Sequence, residues 1–262
     1  MKEKTFNYLL EILKSKSLFL CLIDPDKQEL SKSLEIALLY EEYGADALLI
    51  GGSIMMNNRF SDAIFEIKKI VKIPLIIFPG IFNFVDPFAD ALLMLNMLSS
   101  RNPQVLINEQ VRSAPLIYQS KLEVIPTAYL LIESGSLSSV QYMSHSFPIP
   151  RKKYDIAVAH SLAAQYMGQK IVYLEAGSGA ELQVPNDMIR AVKNHIDIPL
   201  IVGGGIRMPE DAFEKVKAGA DIIVIGTALE NLENKSVIME FAEAIHTKSQ
   251  NSYLPAQTSQ LP

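Results

Sequence analysis

The sequence predicts an α/β protein, a modified (β/α)8 TIM barrel that lacks a regular third helix. Eight short and almost continuously apolar runs are spread along its 262 residues. Such runs are typical of parallel strands that are covered on both faces, and segments with helical spacing of apolar residues separate most of them. A doubly wound open sheet is the alternative. No GxGxxG motif follows the first run, which disfavours a dinucleotide-binding sheet.

The predicted elements alternate along the chain. The strands are residues 17–23, 46–52, 73–80, 91–96, 122–132, 170–177, 198–205 and 221–227. In the helical segment 30–43 the spacing predicts one buried face of Leu30, Leu34, Ala37 and Leu38. Later buried helix positions are Ile64, Ile67 and Val71 after a predicted Ser61 cap, and Ile189, Val192 and Ile196 within 186–196. Pro209 and Gly219 are placed to begin and end one further helix, and another is predicted near 152–168.

The connection after the third strand is short. Only IFNFVDPFAD, residues 81–90, separates the third run from the fourth. Ten residues are too few for a crossover helix with its loops. The connection 133–169 is long by contrast, and it should lie on the catalytic face, where loops follow the strands.

Domain organisation and composition limit the possible functions. Residues 1–246 are predicted to form one barrel domain, and 247–262 a disordered polar tail rich in Ser and Gln. The net charge of −5 and the lack of a basic run argue against a nucleic-acid partner. No signal peptide or membrane-spanning stretch is recognisable. The single cysteine, Cys21, fits a reducing cytoplasm, which is the predicted location.

Glycine-rich sequences follow the last three predicted strands. They are EAGSGA after strand 6, VGGGIR after strand 7 and IGTALE after strand 8. Glycines let the backbone approach a ligand and turn N–H groups toward it, and these loops are the usual phosphate site of such barrels. The alternative is that the glycines only permit tight turns.

Hard oxygen ligands follow the first two strands. Asp24 comes directly after strand 1, and Ser53 follows strand 2. Magnesium is typically held by one or two such groups together with waters and substrate phosphates. Asp26, beyond Pro25, could instead be solvated or cap a turn.

A carboxylate ends strand 6, beside the predicted phosphate loops. Glu175 would repel a phosphate there, so it is a better acceptor for substrate hydroxyls or a base near the reacting oxygen. Tyr173, two residues earlier, points to the same face. Its alternative role is a core aromatic residue with a satisfied hydroxyl.

The motifs LIDPDK, IGGS, YLEAGSG, VGGGIR and IGTALE, in this order, resemble the geranylgeranylglyceryl phosphate synthase family, which includes the bacterial heptaprenylglyceryl phosphate synthases. The resemblance covers roughly residues 10 to 245, and the chain is similar to members of the family's second group. It implies a barrel without its third helix and a magnesium-dependent prenyl transfer. The implied substrates are sn-glycerol 1-phosphate and a polyprenyl diphosphate, here geranylgeranyl diphosphate, and the implied products are a prenylglyceryl phosphate ether lipid precursor and diphosphate.

The resemblance also implies site residues. Asp24 and Ser53 match the magnesium positions, and Glu175 and Tyr173 are the implied catalytic residues. The glycerol phosphate positions are Tyr173, Leu174, Glu175, Ala176, Gly177, Ser178, Gly179, Gly204, Gly205, Gly226 and Thr227. Thr227 departs from the family pattern, since many relatives carry Asn there, but its backbone N–H can still donate.

The remaining expectations concern the prenyl chain and partners. An apolar groove is predicted near the ends of strands 3 and 4, with candidate residues Phe78, Ile81, Phe82, Phe84, Phe88 and Tyr129, although core packing is the alternative for most of them. Family members form homo-oligomers, dimers or hexamers, and a lipid substrate implies transient contact with a membrane surface. Two other functions stay open: another phosphate-binding barrel enzyme of the sugar-phosphate isomerase or lyase type, and a non-catalytic phosphometabolite-binding barrel.

Overall fold

The computed structural model describes residues 3–52, 59–80, 85–230 and 235–247. Eight parallel strands pair in chain order, and the last strand pairs with the first, so that the barrel is closed. The strands are β1 Leu18–Ile23, β2 Ala47–Ile50, β3 Leu75–Ile77, β4 Ala91–Asn96, β5 Glu123–Leu131, β6 Ile171–Glu175, β7 Leu200–Gly203 and β8 Ile222–Ile225.

Helices surround the barrel in the described ranges. They are α1 Lys4–Leu13, α2 Leu30–Glu42, α3 Phe60–Ile70, α4 Glu109–Ser120, α5 Ser139–Ser144, α6 Tyr154–Tyr166, α7 Asn186–Lys193, α8 Pro209–Lys217 and α9 Ser236–Ile245. A π-helical turn, Gln104–Asn108, leads into α4, and a 3₁₀ turn, Thr227–Leu229, follows β8. None of the helices within the described ranges is long and apolar enough to cross a bilayer.

The predicted strands all form, and the predicted gap in the helix series is confirmed where it can be seen. Residues 78–80 and 85–90 between β3 and β4 contain no helix, and 81–84 lie outside the described residues. Of the predicted tail, only Thr247 is described.

Two details of the predicted helices are wrong. Leu38 is 45% exposed, because the buried face of α2 centres on Ile36, Ala37 and Tyr40. Ser61 lies inside α3, which begins at Phe60 without a side-chain cap.

The core has two layers because successive strand residues point to opposite faces. Leu18 and Leu20 of β1 pack inside the barrel, whereas Phe19 and Cys21 pack outward under the helices. Helix α1 closes the amino-terminal end of the barrel. Phe6 is part of the inner layer, and the Glu123 carboxylate accepts the N–H groups of Thr5 and Phe6 at 2.7 and 2.8 Å, which caps the helix from a distant strand.

A repeated ionic contact fixes the amino-terminal ends of the strands. Asp46, directly before β2, accepts the N–H of Phe19 at 2.8 Å and the Lys16 ammonium at 2.6 Å. The same arrangement recurs before β4, where Asp90 binds the N–H of Leu75 and Lys68, and before β8, where Asp221 binds the N–H of Leu200 and Lys193. Each aspartate therefore ties a strand to the start of the preceding one and carries its own counterion.

Asp46 has a second side-chain partner, His246 at the end of α9, whose Nε2 lies 2.9 Å from Oδ2 of Asp46. Burial by itself raises the pKa of Asp46, but hydrogen bonds from His246, Lys16 and the Phe19 N–H outweigh it and place the pKa below its ordinary value. A carboxylate with a lowered pKa stabilises the fold above its unfolded-state pKa, and this stabilisation is lost as the pH falls through the folded-state pKa.

We expect Asp46→Asn to lower the free energy of unfolding at pH 7 by about 2–3 kcal/mol, because the amide carries no negative charge to pair with Lys16 and replaces one accepting oxygen with a donor. The deficit relative to wild type should begin to shrink as the pH falls through the ordinary aspartate range, and it should be lost only below the lowered pKa of the folded carboxylate. Urea denaturation over a pH series measures the free energy of unfolding of the two proteins and how their difference changes with pH. Asp187→Asn, which removes an exposed helix pair with Arg190, is the control and should change little. A deficit that is the same at every pH would contradict the electrostatic assignment.

Candidate active site

A cavity of about 750 Å³ lies at the carboxyl-terminal ends of the strands. Its wall comes from the loops after β1, β2 and β5 to β8 and from Phe78 after β3. The predicted residues that line it are Asp24, Tyr173, Glu175, Ser178, Gly179, Gly204, Gly205, Gly226 and Thr227. The fold thus brings together side chains that are up to about 200 positions apart in the chain, as expected for the catalytic face of a barrel.

Glu175, the last residue of β6, is a buried carboxylate in the cavity wall, with 5% of its surface exposed. Its Oε1 accepts the N–H of Gly177 at 2.7 Å, and the Tyr173 hydroxyl also hydrogen-bonds to the carboxylate. Burial raises the pKa of Glu175 above its ordinary value, and these two donors only partly offset the effect. The carboxylate is therefore a stronger base than a solvated one.

Tyr173 belongs to the inner core and lines the cavity at the same time. Its hydroxyl is engaged by Glu175, so it orients the carboxylate, and burial raises its own pKa. Its ring lies 5.4 Å from that of Tyr129 in an edge arrangement and 5.9 Å from that of Phe78. These three rings, the aromatic trio, form one wall of the cavity.

Glycines at the end of β7 make room for the carboxylate. A Cβ on Gly204 would lie 2.3 Å from the Glu175 carboxylate and 2.7 Å from the Gly177 nitrogen. A Cβ on Gly203 would lie 2.5 Å from the Tyr173 hydroxyl. Gly204 and Gly205 also have φ of +83° and +71°, a region that side-chain-bearing residues rarely adopt.

The loop from residue 176 to 185, loop 6, makes a turn beside these glycines. Gly177 and Gly179 have φ of +105° and +68°, and the Ala180 N–H closes the turn on the Gly177 carbonyl at 3.1 Å. Ser178 Oγ lies 3.2 Å from Oγ1 of Thr227, which joins loop 6 to the turn after β8. Gly177 does not line the cavity wall, and its N–H already serves Glu175.

Two predicted substrate-binding positions do not present their side chains to the cavity. Leu174 and Ala176 are fully buried in the outer core layer, because they alternate with Tyr173 and Glu175 along the strand. Either could contribute only its backbone, and the Ala176 N–H is bonded to the Gly203 carbonyl at 3.1 Å.

Asp24, directly after β1, also lines the cavity. Its Oδ1 accepts the Asp26 N–H at 3.1 Å, and its carboxylate lies against the backbone of Gly52, where a Cβ would be 2.7 Å away. Partial burial is the main reason that its pKa is raised. The predicted partner Ser53 directly follows Gly52 but lies outside the described residues. Within the described ranges no group of three His, Cys, Asp or Glu side chains could hold a metal ion.

Two cations that line the cavity were not assigned from the sequence. Lys27 pairs with Glu230 at 2.6 Å, which joins the loops after β1 and β8. Arg207 donates to the Ala180 carbonyl of loop 6 at 2.7 Å. Lys27 is the last residue of DPDK and Arg207 the last residue of VGGGIR, so both cations are recognisable in the sequence beside the predicted site motifs.

A smaller apolar recess of about 70 Å³ adjoins the cavity. Gly52, Phe78, Tyr129 and Val140 line both spaces, and Leu95, Met97 and Val105 line the recess. The predicted groove residues Phe78 and Tyr129 are therefore at the junction. Phe88 is not: it is 53% exposed and packs edge-on against Phe65 at 4.8 Å. Ile81, Phe82 and Phe84 lie outside the described residues.

Chemically, the site combines a buried base with a glycine-lined surface and an apolar recess. The glycine loops offer backbone donors to an anion, and Glu175 offers acceptor capacity beyond the two bonds that it makes. This arrangement suits a ligand with hydroxyl groups and a phosphate, next to a second and apolar ligand.

Comparison with known proteins finds relatives over nearly the whole chain. The chain matches the model of the PcrB family over residues 10–245. It is 44% identical to the geranylgeranylglyceryl phosphate synthase of Methanosphaera stadtmanae over 241 residues, 92% of this chain and 98% of that protein. It is 40% identical to the geranylgeranylglyceryl phosphate synthase of Chitinophaga pinensis over 248 residues, 94% of this chain and 97% of that protein.

A solved structure is similar over nearly its whole length. It is that of (S)-3-O-geranylgeranylglyceryl phosphate synthase from Thermoplasma acidophilum in complex with its substrate sn-glycerol-1-phosphate. The TM-score is 0.88 at 35% sequence identity, and the match covers 94% of this chain and 99% of that one.

We expect Gly204→Ala to be far more damaging than Gly179→Ala. Both place a side chain at positive φ, which costs about 1–2 kcal/mol. A Cβ on Gly179 meets nothing within 4 Å, whereas one on Gly204 collides with the Glu175 carboxylate and two backbone nitrogens. Thermal denaturation of the two variants, with wild type, measures the difference. Equal losses of stability would show that the Glu175 contact does not constrain this position.

Proposed function

The chain belongs to the PcrB family, and from this premise we propose that it is a prenyltransferase that joins sn-glycerol 1-phosphate to a polyprenyl diphosphate. The proposed donor is geranylgeranyl diphosphate, and the products are a prenylglyceryl phosphate, which is an ether lipid precursor, and diphosphate. The observation that carries the proposal is the position of the buried Glu175 carboxylate beside glycine backbone from three neighbouring loops. In a polyol phosphate, the hydroxyl groups can bind to the carboxylate and the phosphate can bind to the glycine backbone.

The proposed reaction is an alkylation at oxygen. The bond between the allylic carbon and the diphosphate oxygen breaks, and a bond forms between that carbon and the glycerol 3-hydroxyl oxygen. Glu175 orients the hydroxyl and accepts its proton, a role that its raised pKa favours. Tyr173 and the Gly177 N–H hold the carboxylate in place for this step.

The aromatic trio has a role in the same step. As the allylic bond breaks, the carbon becomes cationic, and aromatic faces attract cations within about 6 Å. Phe78, Tyr129 and Tyr173 line the cavity beside Glu175, and the first two also line the apolar recess. We propose that the reacting end of the prenyl chain meets the trio while the rest of the chain lies toward the recess.

Magnesium is the proposed cofactor. Asp24 supplies one carboxylate at the cavity mouth, which fits a cation that takes one or two carboxylates and completes its shell with waters and phosphate oxygens. Ser53 is the proposed second ligand. The bound ion would neutralise the leaving diphosphate. Lys27 lies in the same wall but is paired with Glu230, so the proposed ion would supply most of the positive charge there.

The proposal extends to the organisation of the protein. We propose that residues 1–246 form one barrel domain, that the protein assembles as a homo-oligomer, a dimer or hexamer, and that it works in the cytoplasm with transient contact to a membrane surface. The family resemblance supports these expectations, and the single cysteine, Cys21, fits a reducing compartment. Light scattering of the purified protein would measure the oligomeric state.

The direct test is incubation with magnesium, sn-glycerol 1-phosphate and geranylgeranyl diphosphate. Release of diphosphate together with a lipid-extractable product supports the synthase. Binding of glycerol phosphate without turnover would support a non-catalytic barrel, and conversion of a sugar phosphate without diphosphate release would support an isomerase or lyase. A series of donors of increasing length would then show the preferred prenyl chain.

Glu175→Gln should lower turnover by at least about 100-fold, because the amide cannot accept the proton. In wild type, turnover should fall on the acid side as Glu175 is protonated. Because its pKa is raised above the ordinary value of 4.5, this fall should begin at a higher pH than for a solvated carboxylate. A pH–rate profile measures the effect, with Glu181→Gln, an exposed carboxylate of the same loop, as the control. Unchanged turnover in Glu175→Gln would exclude the proposed role.

Asp24→Asn should raise the magnesium concentration needed for half-maximal activity by about tenfold or more, because the ion loses its carboxylate ligand. Magnesium titration of the initial rate measures this. Asp26→Asn removes a carboxylate two positions along the chain and controls for the change in charge at the cavity mouth. Identical titrations for wild type and Asp24→Asn would remove Asp24 from the metal site.

A further inference from the structure

Loop 6 is held from outside by cations that bind its backbone carbonyls. Arg207, after β7, donates to the carbonyl of Ala180 at 2.7 Å and to that of Glu181 at 3.4 Å. Its guanidinium therefore spans two consecutive carbonyls directly after the Gly177–Ala180 turn.

Two further cations hold the second half of the loop. Arg151, after β5, donates to the carbonyl of Gln183 at 2.7 Å, and Lys215 of α8 donates to that of Val184 at 2.9 Å. Arg151 is itself anchored to the Glu133 carbonyl at 3.0 Å. Four of the last six carbonyls of the loop thus accept from cations that belong to three separate parts of the barrel.

Within the described ranges these cations bind oxygens of carbonyls and an amide rather than carboxylates. No carboxylate lies within salt-bridge distance of Arg151, Arg207 or Lys215 in the part of the chain that the structure describes. Lys215 is only 6% exposed, and its ammonium bonds to the Val184 carbonyl and to Asn186 Oδ1 at 2.7 Å. Burying a charged group costs solvation, and the two oxygen acceptors, one of them on loop 6, offset part of this cost.

The turn that these contacts support is closed by the bond from the Ala180 N–H to the Gly177 carbonyl, but it contains two glycines. Gly177 and Gly179, both at positive φ, are conformationally permissive and lose much entropy when they are ordered. Upstream, the Gly177 N–H is fixed by Glu175. Downstream, the first contact is the bond from Arg207 to Ala180.

We propose that Arg151, Arg207 and Lys215 act as positioning residues, a brace that keeps loop 6 in the conformation that binds the phosphate of the glycerol substrate. The inference rests on the proposed function for the identity of that ligand. Arg151 gives the clearest test, because it is not among the residues that line the cavity and so can influence the ligand only through the loop. Arg207 lines the cavity, so a direct contact to phosphate would be confounded with its bracing role.

The experiment compares Arg151→Gln, Arg151→Lys, Lys215→Met and Arg207→Lys with wild type. Arg151→Gln should raise the KM for sn-glycerol 1-phosphate about tenfold, with kcat and the KM for the prenyl diphosphate within about threefold of wild type. Arg151→Lys, which keeps one donor to the loop, should recover most of the loss. Arg190→Gln, which removes an exposed arginine paired with Asp187 on α7, is the matched control and should behave as wild type.

Hydrogen exchange provides a readout that does not depend on turnover. Amides of residues 176–185 should exchange faster in Arg151→Gln and Lys215→Met, while those of the barrel strands exchange as in wild type. Unchanged exchange in this segment for both variants would overturn the brace, whatever the enzymatic activity. If wild type makes no lipid product, the proposed function fails, and the exchange measurement still decides whether the cations hold the loop.

If these cations acted only through their positive charge, Arg207→Lys would behave as wild type. Arg207→Lys keeps the positive charge but cannot span the carbonyls of Ala180 and Glu181. Under the brace it should raise the KM for sn-glycerol 1-phosphate and the exchange rate of loop 6 together. A wild-type KM and wild-type exchange in Arg207→Lys would exclude the bracing role of this residue.

Discussion

The burial of the Glu175 carboxylate is the constraint from which the rest of the site follows. A carboxylate that is withdrawn from water needs donors, and here the Gly177 N–H and the Tyr173 hydroxyl supply them. For the Gly177 N–H to reach the carboxylate, the chain bends immediately after β6, and this bend begins the turn of loop 6. For its hydroxyl to reach Glu175, Tyr173 lies in the inner core, and this hydroxyl is directed toward β7. Gly203, the last residue of β7, and Gly204 after it then have no room for a side chain. Residues on two strands are thus determined by one charged group.

Sequence reasoning predicted the barrel well, because the signal for buried parallel strands is local: continuous apolar runs of the right length. It also predicted the gap after β3, since ten residues cannot hold a crossover. It failed where the answer depends on partners from distant parts of the chain. The face of α2 that is buried depends on how the helix rests on the sheet, so Leu38 was placed inside although it is exposed. The glycine motifs located loop 6 but could not show that the Gly177 N–H turns to Glu175 rather than to a ligand. The contacts of Arg151 and Lys215 with that loop join residues 32 and 31 positions apart, and no spacing in the sequence predicts them.

The aromatic trio separates two kinds of environment within one opening. On one side lie a carboxylate, glycine backbone and two cations, which suit phosphates and hydroxyls. On the other side, beyond Phe78 and Tyr129, the lining is largely apolar up to Glu109 and Gln110. Rings are suited to this position because they are apolar toward the recess and still present a negative face to a developing positive charge. The same two side chains can therefore contact a lipid chain and the carbon at which it reacts.

The aspartate–lysine contacts before β2, β4 and β8 lie at the opposite end of the strands from all of this. Together with α1 and its Glu123 cap, they secure the closure of the barrel without help from any catalytic loop. This separation has an evolutionary consequence. A scaffold whose closure is secured at one rim can accumulate substitutions at the other without losing its architecture. Proteins that descend from such a barrel can change their substrate. New loops could also be designed onto this chain while the contacts at the amino-terminal ends of its strands are kept.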